Sequence, residues 1–367
     1  MKIVRVIILL LIAVNAYSQT ERVHNIYTGI LSDLYLNHQP YAKSEAMGRG
    51  LVANYEGSFG SYYNPALTSL NKGITTDISY TESDRTKPSI SYLGVSYSNE
   101  KLGSVGVSAY YFSKPTVSSY YSEEHKISSY YDAAYAVNYS REIVKDLYAG
   151  VNFGVFHYSH LVYYFTGDSY YALDDGVTLD LGLLKKFNIK SANLDQSFQL
   201  GAALYNITNS KVSFARFNEK ESLPVTFRIG GSHKLNIRNL DNINPVNILS
   251  AFTHLEYEKV FNSELNEVFK IGEEFTIAEI FFLRFGFYYS KIEKGYRYGA
   301  YTYPDIYQEE FTFGAGVNVP VSKILKFKKS LNLKIDYARN NPSTPYRFEN
   351  ETYEKYYTLG LSINYIP

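Results

Sequence analysis

The chain has no cysteine, no tryptophan, only two methionines and no net charge, with Lys+Arg and Asp+Glu both at 36. The missing thiols exclude a lipoprotein anchor, disulfides, thiol catalysis and Cys-ligated metal. Balanced charge without a basic stripe argues against a nucleic-acid partner. No apolar run approaches the roughly 18 residues of a membrane helix, which excludes a helical inner-membrane protein. The longest, Val6 to Val14, follows Lys2 and Arg5 and precedes Ala16-Tyr17-Ser18. That order predicts a secretory signal peptide over 1–18, cut near Ser18–Gln19.

What the chain does have is 39 Tyr, 22 Phe and a recurring two-residue rhythm. Leu359, Leu361, Ile363 and Tyr365 alternate with Thr358, Gly360, Ser362 and Asn364. Phe311, Phe313, Ala315, Val317 and Val319 alternate with Thr312, Gly314, Gly316 and Asn318. Such alternation gives a sheet one apolar and one polar face. Spread along an exported chain, it predicts a barrel whose apolar face meets lipid. Tyr has an apolar ring with a polar tip, and suits the headgroup level of a bilayer. Pairs such as Tyr110-Tyr111 and Tyr288-Tyr289 lie near strand ends, where that girdle is expected.

Fourteen stretches carry the strand pattern: 74–80, 89–98, 102–112, 126–140, 147–157, 177–187, 196–205, 224–235, 247–259, 265–276, 282–290, 309–319, 329–338 and 354–365. Most have about the nine to eleven residues a tilted strand needs to cross hydrocarbon. Connections after odd-numbered strands are mostly long, as at 113–125, 158–176, 206–223 and 291–308. Those after even-numbered strands are mostly short, as at 99–101 and 277–281. Long external loops and short periplasmic turns have this asymmetry. The short link at 260–264 breaks it, and a wrong boundary there would change the count to twelve or sixteen. The fold expected is all-β, a transmembrane antiparallel β-barrel of about 14 strands over 74–367, in the outer membrane of a Gram-negative bacterium. Closure spares the backbone unpaired groups in lipid, and a closed barrel requires no oligomer. The rival, a soluble two-sheet sandwich, would not need the loop asymmetry.

Residues 19–73 read differently, with room for two or three short helical turns. Asn64 can cap a turn that starts with Pro65, and Ser44 to Met47 can form another closed by Gly48.

Ala46-Met47-Gly48, then Tyr63-Asn64-Pro65-Ala66 directly before the first strand, resembles the start of FadL-like outer-membrane proteins, most like the PorV/PorQ branch of Bacteroidota. Pro224 to Gly231, Ile271-Gly272-Glu273-Glu274-Phe275, Leu283 to Phe287, Phe313 to Val317 and Ile335-Asp336-Tyr337-Ala338 resemble that family's later strands in order. Asn37 to Lys43 and the doubled Tyr62-Tyr63 depart from its pattern. The resemblance implies a fourteen-stranded barrel whose residues 19–73 fold inward as a hatch. Its expected residues are Met47, Gly48, Arg49, Gly50, Phe59, Gly60, Asn64, Pro65 and Ala66.

Two functions follow from the resemblance. One is handling or attachment of cargo proteins for the type IX secretion system. Recognition would then fall to the external tyrosines Tyr163, Tyr164, Phe165, Tyr170 and Tyr171, with Tyr296, Tyr298, Tyr301, Tyr303 and Tyr307. Such a role predicts a plugged barrel and a co-purifying partner. The other is passive transport of a hydrophobic or amphipathic small molecule, in a pocket walled by Met47, Phe59, Tyr62, Tyr63 and Leu67. It requires a continuous lumen or a lateral gap. Asp180, Arg228, Glu273, Arg284, Lys334 and Asp336 are expected to face the lumen, because charge facing lipid at the midplane costs roughly 2–4 kcal/mol for Arg or Lys. Arg49 is expected to pair with a lumen-facing Asp or Glu, or with a ligand carboxylate. An acyl hydrolase is the weakest reading. Ser232 and His233 point to opposite faces of a strand, and His157-x-x-His160 has no evident third ligand. No cofactor and no metal is called for.

Overall fold

The computed structural model describes residues 39–55, 57–83, 89–114, 130–163, 169–190, 194–213, 220–223, 225–238, 247–261, 265–292, 297–298, 301–302, 306–342 and 356–367. The expected signal peptide and residues 19–38 lie outside the described residues.

Alternation organises the chain into strands β1 (Gly73–Ser83), β2 (Ser89–Asn99), β3 (Gly103–Lys114), β4 (Tyr130–Val144), β5 (Leu147–Tyr163), β6 (Ser169–Lys190) and β7 (Leu194–Tyr205). They continue with β8 (Val225–Arg238), β9 (Asn247–Phe261), β10 (Leu265–Ile277), β11 (Phe281–Ile292), β12 (Ile306–Val319), β13 (Ser330–Pro342) and β14 (Tyr356–Ile366). Each pairs antiparallel with its sequence neighbours, and β1 meets β14 with Ile74 opposite Tyr365 and Ser83 opposite Tyr356. The result is a closed transmembrane barrel of fourteen strands. The short link after β9 is real, since β9 ends at Phe261 and β10 begins at Leu265.

Every strand has two chemistries. On β11, Phe281, Leu283 and Phe285 point outward and are about half exposed, whereas Arg284 between them is buried. Leu93, Val107, Phe153, Leu200, Leu255 and Leu359 continue this band around other strands. An apolar girdle on a closed sheet is the surface that meets lipid. Adjacent tyrosines therefore divide between the two faces. Tyr111 is exposed while Tyr110 is buried, and Tyr288 is buried while Tyr289 packs on Phe269 outside, at 6.5 Å between ring centroids. The girdle expected from both members of each pair is supplied by one.

The wall is taller than the sequence pattern indicates at β5 and β6, whose hairpin runs in register from Leu147↔Lys185 to Tyr163↔Ser169. The loop expected over 158–176 is thus mostly strand, and Tyr163, Tyr170 and Tyr171 belong to it. Tyr307 likewise sits on β12, and Tyr298 and Tyr301 face each other in a small ribbon. Tyr164, Phe165, Tyr296 and Tyr303 lie outside the described residues.

Residues 39–72 run inside the barrel. They form α1 (Ala42–Ala46), α2 (Gly60–Tyr63) and a 3-10 helix over Pro65–Leu70. Asn64 starts the last, because its Oδ1 accepts the Ala66 amide at 3.0 Å and Pro65 has no N–H to satisfy. The segment carries its own apolar core. Tyr41 packs on Phe59 at 4.5 Å between centroids, and Phe59 on Tyr92 of the wall at 4.2 Å. Glycines let the wall approach it closely at several points. A Cβ on Gly286 would stand 1.9 Å from the Gly48 nitrogen, and one on Gly201 would stand 2.2 Å from the Val52 carbonyl oxygen. One further helix, α3 (Val321–Leu325), lies outside the lumen in the connection between β12 and β13.

Candidate functional site

Three buried charge clusters join the luminal segment to the wall. In the first, Arg284 reaches Glu274 at 2.5 Å and Asp336 at 2.7 Å, while Lys334 stands 3.7 Å from Asp336. The segment adds Lys43, 3.0 Å from Glu274, and Tyr41, whose hydroxyl donates to Asp336 at 2.5 Å. Burial brings the Lys43 pKa down to about 8, although Glu274 works the other way. In the second, Arg228 and Lys270 bind Glu258 at 2.5 and 2.6 Å. Lys270 also holds Glu256, which accepts the Val52 amide at 2.8 Å. In the third, Arg49 binds Glu310 at 2.6 Å and lies 3.4 Å from Glu45, and its guanidinium stacks 5.1 Å from the Tyr288 ring.

Paired charges of this kind cost little net energy while intact and several kcal/mol when one partner is removed. Their arrangement fixes where the segment sits. On the opposite side of the lumen the contacts are neutral. Asn64 Nδ2 donates to the carbonyls of Val52 and Leu183, both at 2.9 Å. Thr68 meets Asn138 and Ser140, and Asn152 donates to the Ser61 carbonyl at 2.9 Å.

Beside these neutral contacts the packing leaves a cavity of about 100 Å³. Tyr62 of the segment borders it, with Tyr92, Tyr110, Tyr205, Ala134 and Ala136 from the wall. Tyr62 stacks on Tyr110 with centroids 6.3 Å apart and planes 20° from parallel. The polar end is Arg228, whose guanidinium lies 4.7 Å from the Tyr205 ring and 5.9 Å from that of Tyr62. Asp180 stands near it, accepting the Asn206 amide at 2.9 Å and Asn152 Nδ2 at 3.1 Å. Tyr205 hydroxyl donates to the Tyr63 carbonyl and ties the wall to the segment here. Chemically the site offers aromatic faces, small alanines that leave room, and one cationic anchor already partnered by Glu258.

Several expectations change. Of the five residues expected to wall a pocket, only Tyr62 borders the cavity. Met47, Phe59, Tyr63 and Leu67 are fully buried in a core that the segment shares with wall residues such as Tyr92, Leu184 and Phe252, which leaves them no face on the cavity. Tyr92, Tyr110 and Tyr205 take their place. Glu273 does not face the lumen. It shares the outward face of β10 with Phe269, Ile271 and Phe275, and accepts a 2.6 Å hydrogen bond from Thr253. Glu274, one residue on, is the luminal carboxylate. Asp180, Arg228, Arg284, Lys334 and Asp336 do face inward, and Arg49 has Glu310 as its partner. In the segment, Gly48 adopts φ +68° and donates to Thr312 at 2.9 Å, Gly50 faces His254 and Glu256, Gly60 backs onto Leu67, and Pro65 with Ala66 presses on Gly150.

No protein-family model matches the sequence, and no curated protein matches it. Solved structures do. A Pseudomonas aeruginosa FadL homologue aligns with TM-score 0.50 and 8% identity over 89% of this chain and 98% of that one. The Pseudomonas putida toluene transporter TodX aligns with TM-score 0.48 and 10% identity over 89% of this chain and 98% of its own. The Ralstonia pickettii toluene transporter TbuX gives 0.43 and 13% over 90% and 99%. At these identities the likeness is one of fold. This chain shares its overall barrel fold with the P. aeruginosa FadL homologue.

Proposed function

We propose that the protein is a FadL-like outer-membrane channel for hydrophobic or amphipathic small molecules, with residues 39–72 as its hatch. The observation that carries this reading is the tyrosine-lined cavity at the join between segment and wall. A pocket with aromatic walls and one charged end is suited to a solute with an apolar body and a polar head. Its size sets the mechanism. At about 100 Å³ it is smaller than the ~150 Å³ engineered cavity that takes benzene, so a larger solute requires the segment to move. The neutral hydrogen bonds that Asn64, Thr68 and Ser61 make with β4 to β6 offer the easier parting line, because the ion pairs Lys43–Glu274 and Arg49–Glu310 hold the segment to β10 and β12. An aromatic guest would fit the same chemistry.

The second reading is cargo handling of the PorV/PorQ type, in a member of the Bacteroidota. The filled lumen favours it, because a barrel that only attaches proteins needs no route through its centre. The two readings separate in one experiment. Protein extracted from native outer membranes is analysed by mass spectrometry for bound lipids and co-purifying proteins, alongside an Ala134→Phe/Ala136→Phe variant that fills the cavity. A stoichiometric apolar molecule lost in the variant supports transport. An empty barrel that brings down secretion components or exported cargo, unaffected by the variant, overturns it in favour of the second reading.

A further inference from the structure

The connection between β12 and β13 is unlike the other described turns at its rim. It lies at the end of the barrel where β1 begins and β14 finishes, as do the other connections after even-numbered strands. Pro320 opens α3, Lys326 closes it at φ +55°, and Phe327 donates its amide back to Ser322 at 2.9 Å. This compact turn presents Ile324, Leu325 and Phe327 at 62%, 58% and 55% exposure. Lys323, Lys326, Lys328 and Lys329 surround them, and residues 320–329 contain no acid. Elsewhere on that rim bases are accompanied by acids: Lys101 by Glu100, Lys145 by Glu142 and Asp146. A chain of zero net charge thus concentrates four positive charges beside three large exposed apolar side chains.

Three such side chains facing water would be costly, at about 25 cal/mol per Å² of apolar surface. Their position supplies an alternative. Outward-facing Ile335 and Tyr337 of β13 are part of the lipid-facing band, and α3 sits at the end of that strand toward which the band leads. Apolar groups in the interfacial layer with lysines at headgroup level is how an amphipathic segment lies on a bilayer. We propose that α3 and its flanking lysines form an anchor for anionic phospholipid: Ile324, Leu325 and Phe327 enter the near leaflet, and Lys323, Lys326, Lys328 and Lys329 hold phosphate headgroups. A soluble partner protein on the same patch is the competing occupant. Continuity with the lipid-facing surface favours the lipid. The proposal depends on the barrel spanning a membrane and not on what the barrel carries.

The absence of tryptophan makes the test direct. Phe327→Trp is refolded into phosphatidylcholine vesicles containing phosphatidylglycerol, with bromine on the acyl chains of one lipid or the other at equal total bromine. Leu325→Trp serves as the second reporter position. The expected result is blue-shifted emission, quenched more by brominated phosphatidylglycerol than by brominated phosphatidylcholine. Each lysine should contribute on the order of a fivefold preference for anionic lipid. Replacing all four lysines by glutamine should abolish the difference and leave the barrel intact. Equal quenching by both lipids before that replacement would overturn headgroup selection. Water-exposed emission at both positions, unquenched by either lipid, would overturn the anchor and leave the patch to a soluble partner.

Discussion

Gly286→Ala should open the barrel without unfolding it. Gly286 lies mid-strand on β11 with its missing side chain aimed at the luminal segment. A methyl group there would stand 1.9 Å from the Gly48 nitrogen, 2.3 Å from the Met47 carbonyl carbon and 2.6 Å from Thr312 Oγ1. Ordinary contact begins near 3.4 Å, so the backbone at Gly48 has to retreat by about 1.5 Å. It has nowhere close to go. Gly48 is hydrogen-bonded to Thr312, Arg49 is held by Glu310, and Met47 is buried. Overpacking of this kind costs about 1–3 kcal/mol. At 1.4 kcal/mol per factor of ten, the ratio of docked to undocked segment should fall roughly 5- to 150-fold. The strand itself loses nothing, because alanine is no worse than glycine in a sheet. Gly231→Ala is the control, since its methyl would meet Leu200 Cδ2 at 3.3 Å and the Gln199 carbonyl oxygen at 3.7 Å, both on the neighbouring strand and neither in the segment. The assay is conductance across planar bilayers together with solute efflux from vesicles, with a gel-shift measurement to show that each barrel is folded. Raised leak in Gly286→Ala but not in Gly231→Ala is the expected outcome. If folded Gly286→Ala stays as closed as the parent, residues 39–72 are not what occludes the lumen, and the hatch assignment fails.

Two further predictions use the charges. Glu273→Leu should be neutral or mildly stabilising in urea-gradient folding, since this carboxylate shares the lipid-facing side of β10, whereas Glu274→Leu should cost about 3–5 kcal/mol by leaving Arg284 and Lys43 with a lost partner. The reverse order would refute the inward assignment of Glu274. Docking lowers the Lys43 pKa from 10.5 to about 8, so the docked segment holds that proton less tightly than the undocked one. By linkage, raising the pH from 8 towards 10 favours docking, and solute leak should fall across that window. Lys43→Met should lack this slope, and an equal slope in both proteins would refute the attribution.

Which features were legible follows from how far apart their causes lie in the chain. The strands were written in local alternation, and all fourteen appear where the rhythm placed them, most within a few residues, with β5 and β6 running well beyond their expected outer ends. The phase of each strand was legible too, even where it was missed: Phe269, Ile271 and Phe275 fix Glu273 on the outward face, and the same rule separates Tyr110 from Tyr111. The height of the β5–β6 wall was not, because Tyr163 pairs with Ser169 through a register that alternation alone does not limit. The cavity was still less accessible. Its lining comes from the luminal segment and strands β2 to β8, brought together only by closure and by the glycines that let the segment lie against the wall. Glycine supplies the deeper connection between fold and proposed function. At Gly182 a Cβ would stand 2.0 Å from Asn64 Oδ1, and at Gly314 2.5 Å from the Ala46 methyl. With Gly201 and Gly286, four strands around the lumen have given up side chains where the segment touches them. A wall built only for stiffness would fill those positions with packing atoms. Their omission makes the lumen fit one occupant closely, and a close fit held to the wall by non-covalent contacts alone is what a hatch that must both seal and yield requires.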